Sequence, residues 1–241
     1  MSDSFEMTPI GFVRSCFPDK FGVPRQPGLC PSARGQIVLS PPWNDPECFR
    51  GLDAFSHIWV TFVFHEVPAE RTPRALVRPP RLGGNVRVGV FASRSPFRPN
   101  RIGLSLVRQE GLIEQNGALA LAVSEIDLVD GTPVLDIKPC VPWCDNHSDV
   151  SGAWADAPPG NQLAVAYSDA ARQHLDALAP EYPELEALIG EVLAQDPRPA
   201  YHAAGEPERT YAVSLFDLDI RWRVEGTTCQ VLAITPRNRH A

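Results

Sequence analysis

Four short clusters in the 241-residue sequence carry residues able to do chemistry. "VPRQPGL" (residues 23–29) sets Arg25 between two prolines, with Pro24 before it and Gln26 after it. Proline fixes φ, so this backbone is stiff and suits holding one guanidinium in place. His65 and Glu66 follow the apolar run "HIWVTFVF". "GVFASRSPFRPNRIGLS" (residues 89–105) carries Arg94, Arg98 and Arg101 between two strand-like runs. "SEIDLVDGTPVLDIKP" holds Ser124, Glu125, Ile126, Asp127, Asp130, Asp136 and Lys138. A guanidinium fork matches a carboxylate or a phosphate. Asp130 frames a tight turn and reads as structural. Asp136 and Lys138 are two apart on a strand-like run, so they face one way and either flank a site or pair with each other. A satisfied rim histidine is the bland alternative for His65.

Charge is unevenly spread. From Arg71 to Arg108 there are nine arginines and no acid, so the rest of the chain carries −16 to leave the net −7. A basic patch on an acidic protein points to a polyanionic or phosphate-bearing partner. Some of those arginines are expected to pair with acidic residues instead. The six cysteines form no CxxC pair, which argues for reduced thiols and against a zinc site. No apolar run is long enough to span a membrane, and the first residues lack a signal-peptide pattern, so a cytoplasmic protein is expected.

Phosphate-loop, dinucleotide-binding, nucleophile-elbow and zinc-protease motifs are all absent from the sequence. A small-molecule site must therefore be built without a Rossmann turn.

The elements that position these clusters are mostly strands. "PIGFVRSCF", "RGQIVLS", "HIWVTFVFHEV", "VRVGVFA", "IGLSLVRQEGLIEQ", "ALALAVSEIDLV" and "TPVLDIKP" carry strand patterns. Asn116-Gly117 is a hairpin signal, and Asp130-Gly131 marks another turn. So many strands imply a barrel or a sandwich. A short helix is expected near "DPECFRGLDAF". Character changes near Ala153. Helices are expected in "SDAARQHLDAL", capped by Ser168 or Asp169, and in "PELEALIGEVLAQ", opened by Pro183. Two strands, "TYAVSLFDLDIRWRV" and "TCQVLAITP", complete a small α+β region. The expected division is 1–152 and 153–241.

"VPRQPGL", "RGLDAFSHIWVTFVFHE", "VRPPRLGG", "GVFASRSPFRPNRIGLS" and "DLVDGTPVLDIKP" resemble, in order and spacing, the TrmO (TsaA-like, YaeB-like) tRNA methyltransferase family. "EVLAQDPRPAY" and "YAVSLFDLDIRWRV" resemble the C-terminal region of its bacterial members. The resemblance implies a mainly β protein: an N-terminal TsaA-like β-barrel that binds S-adenosylmethionine without a Rossmann fold, and a small C-terminal α+β domain. It implies a homodimer that N6-methylates the threonylcarbamoyladenosine at position 37 of threonine tRNA, converting t6A to m6t6A. The implied cofactor contacts are Pro24, Arg25, Gln26, His65, Glu66, Arg94, Leu104 and Ser124 to Asp127. Two positions depart from the family pattern, Arg101 standing for proline and Cys140 for tyrosine.

Methyl transfer to an acylated exocyclic nitrogen gains from a base within hydrogen-bond reach. Asp136, with Lys138 beside it, is the expected base; its rival is late loss of the proton to water. Arg94 or Arg25 suits the carboxylate of the cofactor, and Leu104 suits its apolar parts. Arg78, Arg81, Arg98 and Arg101 are expected to grip phosphates of the anticodon stem-loop. No metal is expected. The competing readings are a non-enzymatic tRNA- or RNA-binding regulatory module and an enzyme acting on a small phosphorylated substrate.

Overall fold

The computed structural model describes residues 4–68, 73–79, 82, 86–147, 149–159, 163–198 and 209–237. It is mainly β with few helices. In the first part, β1 (Gly11–Ser15), β2 (Arg34–Leu39), β3 (His57–Val63), β6 (Ile102–Gln115), β7 (Ala118–Ser124) and β8 (Pro133–Pro139) form one sheet. The hydrogen-bonded order is β1-β2-β7-β6-β3-β8, and β8 pairs back onto β1, so the order closes as a barrel. The short β4 (Leu76–Val77) and β5 (Val88–Gly89) pair separately.

Alternation sets the inside of this ring. Along β3 every second residue is buried, with Ile58, Val60 and Phe62 inward and Trp59 and Thr61 outward. Val13, Ile37, Val107, Leu121, Val123 and Val134 meet them from the other strands. The branched side chains suit a pleated, half-buried surface. The hairpin signal holds: Asn116 and Gly117 both take positive φ, 53° and 75°, in the turn joining β6 to β7. Such a turn matches the twist of the two strands it connects.

The second part has a four-stranded sheet in the order β10-β11-β12-β9, built from β9 (Ala164–Tyr167), β10 (Tyr211–Leu215), β11 (Leu218–Glu225) and β12 (Thr228–Pro236). Beside a one-turn α1 (Pro142–Asp145), the helices are α2 (Asp169–Leu178) and α3 (Leu185–Ala194). Ser168, not Asp169, caps α2: its Oγ accepts from the Ala171 N–H at 3.1 Å. Buried Leu185, Leu188, Ile189, Val192 and Leu193 make α3 apolar over most of its surface. A helix apolar nearly all round must be covered on several sides.

Those partners include the first part. Both parts contribute to one hydrophobic cluster. Phe216 donates its N–H to the Cys16 carbonyl at 2.8 Å. Gly22, at φ 93°, lies so close to Val213 that an added Cβ would stand 2.2 Å from its Cγ2. The change of composition near residue 153 thus separates two sheets but not two cores.

Three expectations on elements are revised, and one strand was not expected. "VRVGVFA" is not one strand: only Val88–Gly89 is extended, and Val90–Ala92 winds into a 3-10 turn. "TYAVSLFDLDIRWRV" is two strands, β10 and β11, because Phe216 takes φ 56° and reverses the chain. The helix expected near residue 50 is a pair of 3-10 turns, Pro46–Phe49 and Leu52–Ala54. β9 carried no sequence signal; at four residues it is too short to show periodicity, and its place comes from parallel pairing with β12.

Candidate functional site

Three of the expected segments converge. Arg94 donates through Nη1 to Oε1 of Gln26. That bond joins the "VPRQPGL" loop to the start of the basic stretch. The Gly28 N–H donates to the Glu125 carbonyl at 3.1 Å, joining the same loop to residues 124–127. Asp127 accepts from Ser105 and lies within electrostatic reach of the Arg94 guanidinium.

Asp127 is the most informative group. The residue keeps some exposure, yet its Oδ1 is fully buried and accepts no hydrogen bond. Burial pushes its carboxyl up to about 6. The Ser105 hydrogen bond, its own backbone N–H and Arg94 oppose that rise without cancelling it. A buried acceptor without a partner costs on the order of 1–3 kcal/mol. It suits a site in which an arriving donor supplies the missing bond.

The backbone around Asp127 is held tightly. Ser124 is buried, and its Oγ donates to Glu110 at 2.5 Å. Glu125 has φ 62°, a left-handed conformation rare for a residue with a side chain. Its carboxylate meets Arg108 at 3.5 Å. Ile126 is buried, and its methyls lie under Gly35. The strained turn at Glu125 is thus held by the Ser124–Glu110 bond, the Glu125–Arg108 pair and the buried Ile126.

The other expected residues are placed less centrally. Pro24 is buried and Arg25 exposed. His65 is exposed just beyond β3. Glu66 is held by Lys20, whose Nζ lies 3.3 Å from Oε2 and also donates to the Glu66 carbonyl. Leu104 is 51% exposed on the outward face of β6, while Ser105 points inward. Asp136 and Lys138 pair with each other on the outward side of β8, and Asp136 Oδ1 accepts from the Ile137 N–H at 3.0 Å.

Among the arginines expected on RNA, Arg78 is exposed. Arg81 lies outside the described residues. Arg98 and Arg101 are each engaged by carbonyls of the chain itself. Arg98 Nη1 donates to the Ser93 carbonyl at 3.2 Å. Arg101 donates to the carbonyls of Val67 at 2.9 Å and Pro68 at 3.2 Å. The reason is local: Arg101 takes φ 52°, which turns its side chain back over the segment after β3. The charge that replaces the family's proline is used to tie down residues 67 and 68.

Ser105, Arg34, Glu110 and Lys20 were not singled out in the sequence. Ser105 had a signal, since alternation along "IGLSLV" places it inward with Gly103 and Val107. The ion-pair partners had none, because they lie far away in the chain. Among the described residues no group of three or more His, Cys, Asp or Glu could hold a metal, and no helix is long and apolar enough to cross a membrane.

The polar cluster is built from loops on a β scaffold, with a guanidinium and a buried carboxyl acceptor and no Rossmann turn. Residues 12–146 match the tRNA-methyltransferase O N-terminal domain, and residues 160–237 match the TrmO C-terminal domain. The chain is 48% identical over 234 residues to the tRNA (adenine(37)-N6)-methyltransferase of Escherichia coli (strain K12), covering 97% of this chain and 99% of that protein. It is 51% identical over 218 residues to a putative S-adenosylmethionine-dependent methyltransferase, RcsF, of Pseudomonas aeruginosa, covering 90% of this chain and 91% of that protein. The crystal structure of TrmO from Pseudomonas aeruginosa superposes with a TM-score of 0.80 at 41% identity, covering 97% of this chain and 99% of that one. The chain belongs to the tRNA-methyltransferase O family.

Proposed function

We propose that the protein is an S-adenosylmethionine-dependent methyltransferase that methylates N6 of adenosine 37 in tRNA, with threonylcarbamoyladenosine in threonine tRNA as its substrate and m6t6A as its product. The observation that carries this reading is the convergence of Gln26, Arg94 and Asp127 in a chain of this family. S-Adenosylmethionine, when bound, supplies a methyl group on a sulfonium sulfur.

The residues present fit that cofactor. It carries a carboxylate, an ammonium and hydroxyls. Arg94, steadied by Gln26, pairs with the carboxylate. Asp127 takes a hydrogen bond from the ammonium or a ribose hydroxyl at its partnerless Oδ1. Arg25 and His65 are exposed, and Leu104 offers apolar surface. Fixing both reactants closely and in line supplies much of the acceleration in such a transfer.

Asp136 is assigned the proton of the attacking nitrogen, with Lys138 holding its carboxylate in place. Arg78, Arg81, Arg98 and Arg101 form the basic side toward the anticodon stem-loop. A base next to the anticodon lies in a loop and leaves its stack at lower cost than one in a duplex. The same reading includes a homodimer, a cytoplasmic location and domains at 1–152 and 153–241.

The test is transfer of a labelled methyl group to purified threonine tRNA with and without the threonylcarbamoyl group. Incorporation that appears only with the group, and m6t6A by nucleoside mass spectrometry, are expected. Cofactor-independent tRNA binding with no incorporation would leave the non-enzymatic alternative.

A further inference from the structure

We propose that Glu191 of α3 is a positioning residue for the cofactor loop, so that the C-terminal sheet-and-helix region sets cofactor affinity without touching the cofactor. This rests on the reading of residues 24–26 as a cofactor-binding loop.

The loop from Val23 to Ala33 contains neither helix nor strand. The Gly28 N–H donates to the Glu125 carbonyl and the Ile126 N–H to the Ala33 carbonyl, so the loop and the 124–127 segment are attached to each other. The 124–127 segment is held on β6 through Ser124 and Glu125. Glu191 ties the loop itself to α3: its Oε2 accepts from the Ser32 N–H and its Oε1 from Ser32 Oγ, both at 2.9 Å. One turn further along, Gln195 Nε2 donates to the Leu29 carbonyl at 3.2 Å and contacts Cys30 Sγ at 3.1 Å.

At the other end of the helix, Glu184 takes both Nε and Nη2 of Arg34 at 2.8 Å. Arg34 Nη1 continues to Glu110 at 3.3 Å, and Glu110 receives Ser124 Oγ. Residues 184, 191 and 195 are seven and four apart, which puts them on one stripe of a helix. That stripe carries polar side chains on a helix whose one other charged residue, Glu186, pairs with Arg172 instead. A helix face that only docked would need none of them. These groups reach both cofactor segments, one through Ser32 and one through Arg34. The apolar remainder of α3 anchors it in the core, giving the polar stripe a fixed base.

The test uses the full chain, with the cofactor dissociation constant by calorimetry and kcat at saturating cofactor. Glu191→Ala removes both hydrogen bonds to Ser32. It is expected to weaken cofactor binding about tenfold, with kcat and tRNA affinity unchanged. Glu191→Gln keeps an oxygen for the Ser32 N–H and an amide that can bond Oγ, and is expected to restore most of the affinity. Ser32→Ala, which keeps the backbone bond, is expected to lose about threefold. If Glu191→Ala does not fold, Ser32→Ala and Gln195→Ala decide the matter by the same readout.

Arg25→Ala separates the two ideas. If Arg25→Ala weakens binding while the helix and Ser32 variants do not, the positioning role is overturned and the cofactor loop stands. If Arg25→Ala also binds normally, the loop assignment falls and the positioning role falls with it. A loss in kcat alone, at unchanged affinity, likewise overturns the proposal.

Discussion

Leu104 and Asp136 face the same way on opposite sides of Thr61. In register, Leu104 of β6 pairs with Thr61 of β3, and Thr61 pairs with Asp136 of β8. Side chains paired across strands share a face, so the three form a row on the outside of the ring. With neighbouring strands about 4.8 Å apart, the ends of the row are separated by roughly 10 Å. The proposed apolar cofactor contact and the proposed base are therefore two strands apart in one outward row, with Thr61 between them. Asp136→Asn is expected to lower kcat by at least about a hundredfold while leaving cofactor affinity unchanged, as for loss of a general base. Single-turnover methylation with saturating cofactor checks this. An unchanged rate points to late proton loss to water.

Asp127 gives a pH prediction. Its carboxyl sits near 6 in the folded protein, against 3.8 for an ordinary aspartate. Between those values the folded chain binds more protons than the unfolded chain. Its contribution to stability is thus favourable at the acid end and declines as pH rises from about 4 to 6, by up to roughly 3 kcal/mol. Asp127→Asn is expected to remove that decline, as measured by denaturant unfolding across the range. Cofactor affinity has the opposite slope, rising as Asp127 ionises. Below pH 6, binding to the unaltered protein is expected to release a proton, visible as a buffer-dependent binding enthalpy that Asp127→Asn abolishes.

Arg94 and Gln26 act as a pair. Arg94→Ala is expected to lose about a hundredfold in cofactor affinity, since a charge-assisted pairing is lost. Arg94→Lys restores little of it, because an ammonium cannot present the planar fork. Gln26→Ala, which only frees the guanidinium, is expected to cost several-fold. Calorimetry on the three variants gives the order, and an unchanged affinity for Arg94→Lys would deny the role of the planar fork.

Thiol reactivity follows burial. Cys16, Cys30 and Cys229 are buried, and desolvation pushes each thiol up to about 12. Cys48 and Cys144 are exposed. A thiol reagent at pH 8 is expected to modify Cys48 and Cys144 rapidly in the native protein, and the three buried thiols only on unfolding. Peptide mapping of the labelled sites checks this.

The strands of the ring were legible because local signals agree with their place: alternation in "HIWVTFV", and the Asn116-Gly117 turn. The site was legible as segments. The convergence of Gln26, Arg94 and Asp127 was expected only through the family resemblance. Their contacts span 68 residues in one case, and no periodicity encodes that distance. Sequence reasoning missed the groups that position these segments, Arg34, Glu184 and Glu191. An arginine on a strand edge and two glutamates on a helix look like ordinary surface charges until the fold sets them opposite the loop. The contacts of Arg101 with the carbonyls of Val67 and Pro68 were likewise not legible, because the left-handed turn at Arg101 has no glycine to announce it.

Arg101 and Arg78 therefore predict different losses. Arg101 donates to two backbone carbonyls, so Arg101→Ala removes two charge-assisted hydrogen bonds and releases the segment after β3. About 1–3 kcal/mol of stability is expected to go with them, read as a lower denaturant midpoint. Arg78 is exposed beside a two-residue strand. Arg78→Ala is expected to leave stability within about 0.5 kcal/mol. On tRNA the order reverses. Each neutralised phosphate contributes roughly one counterion to the salt dependence of binding, so Arg78→Ala is expected to lower the slope of log affinity against log salt by about 1. For Arg101→Ala, whose charge is turned toward the protein, the slope is expected to change by less than half of that. Unfolding curves and salt titrations of tRNA binding on both variants give the comparison. Equal slopes for the two would mean that the folded-back guanidinium still reaches RNA.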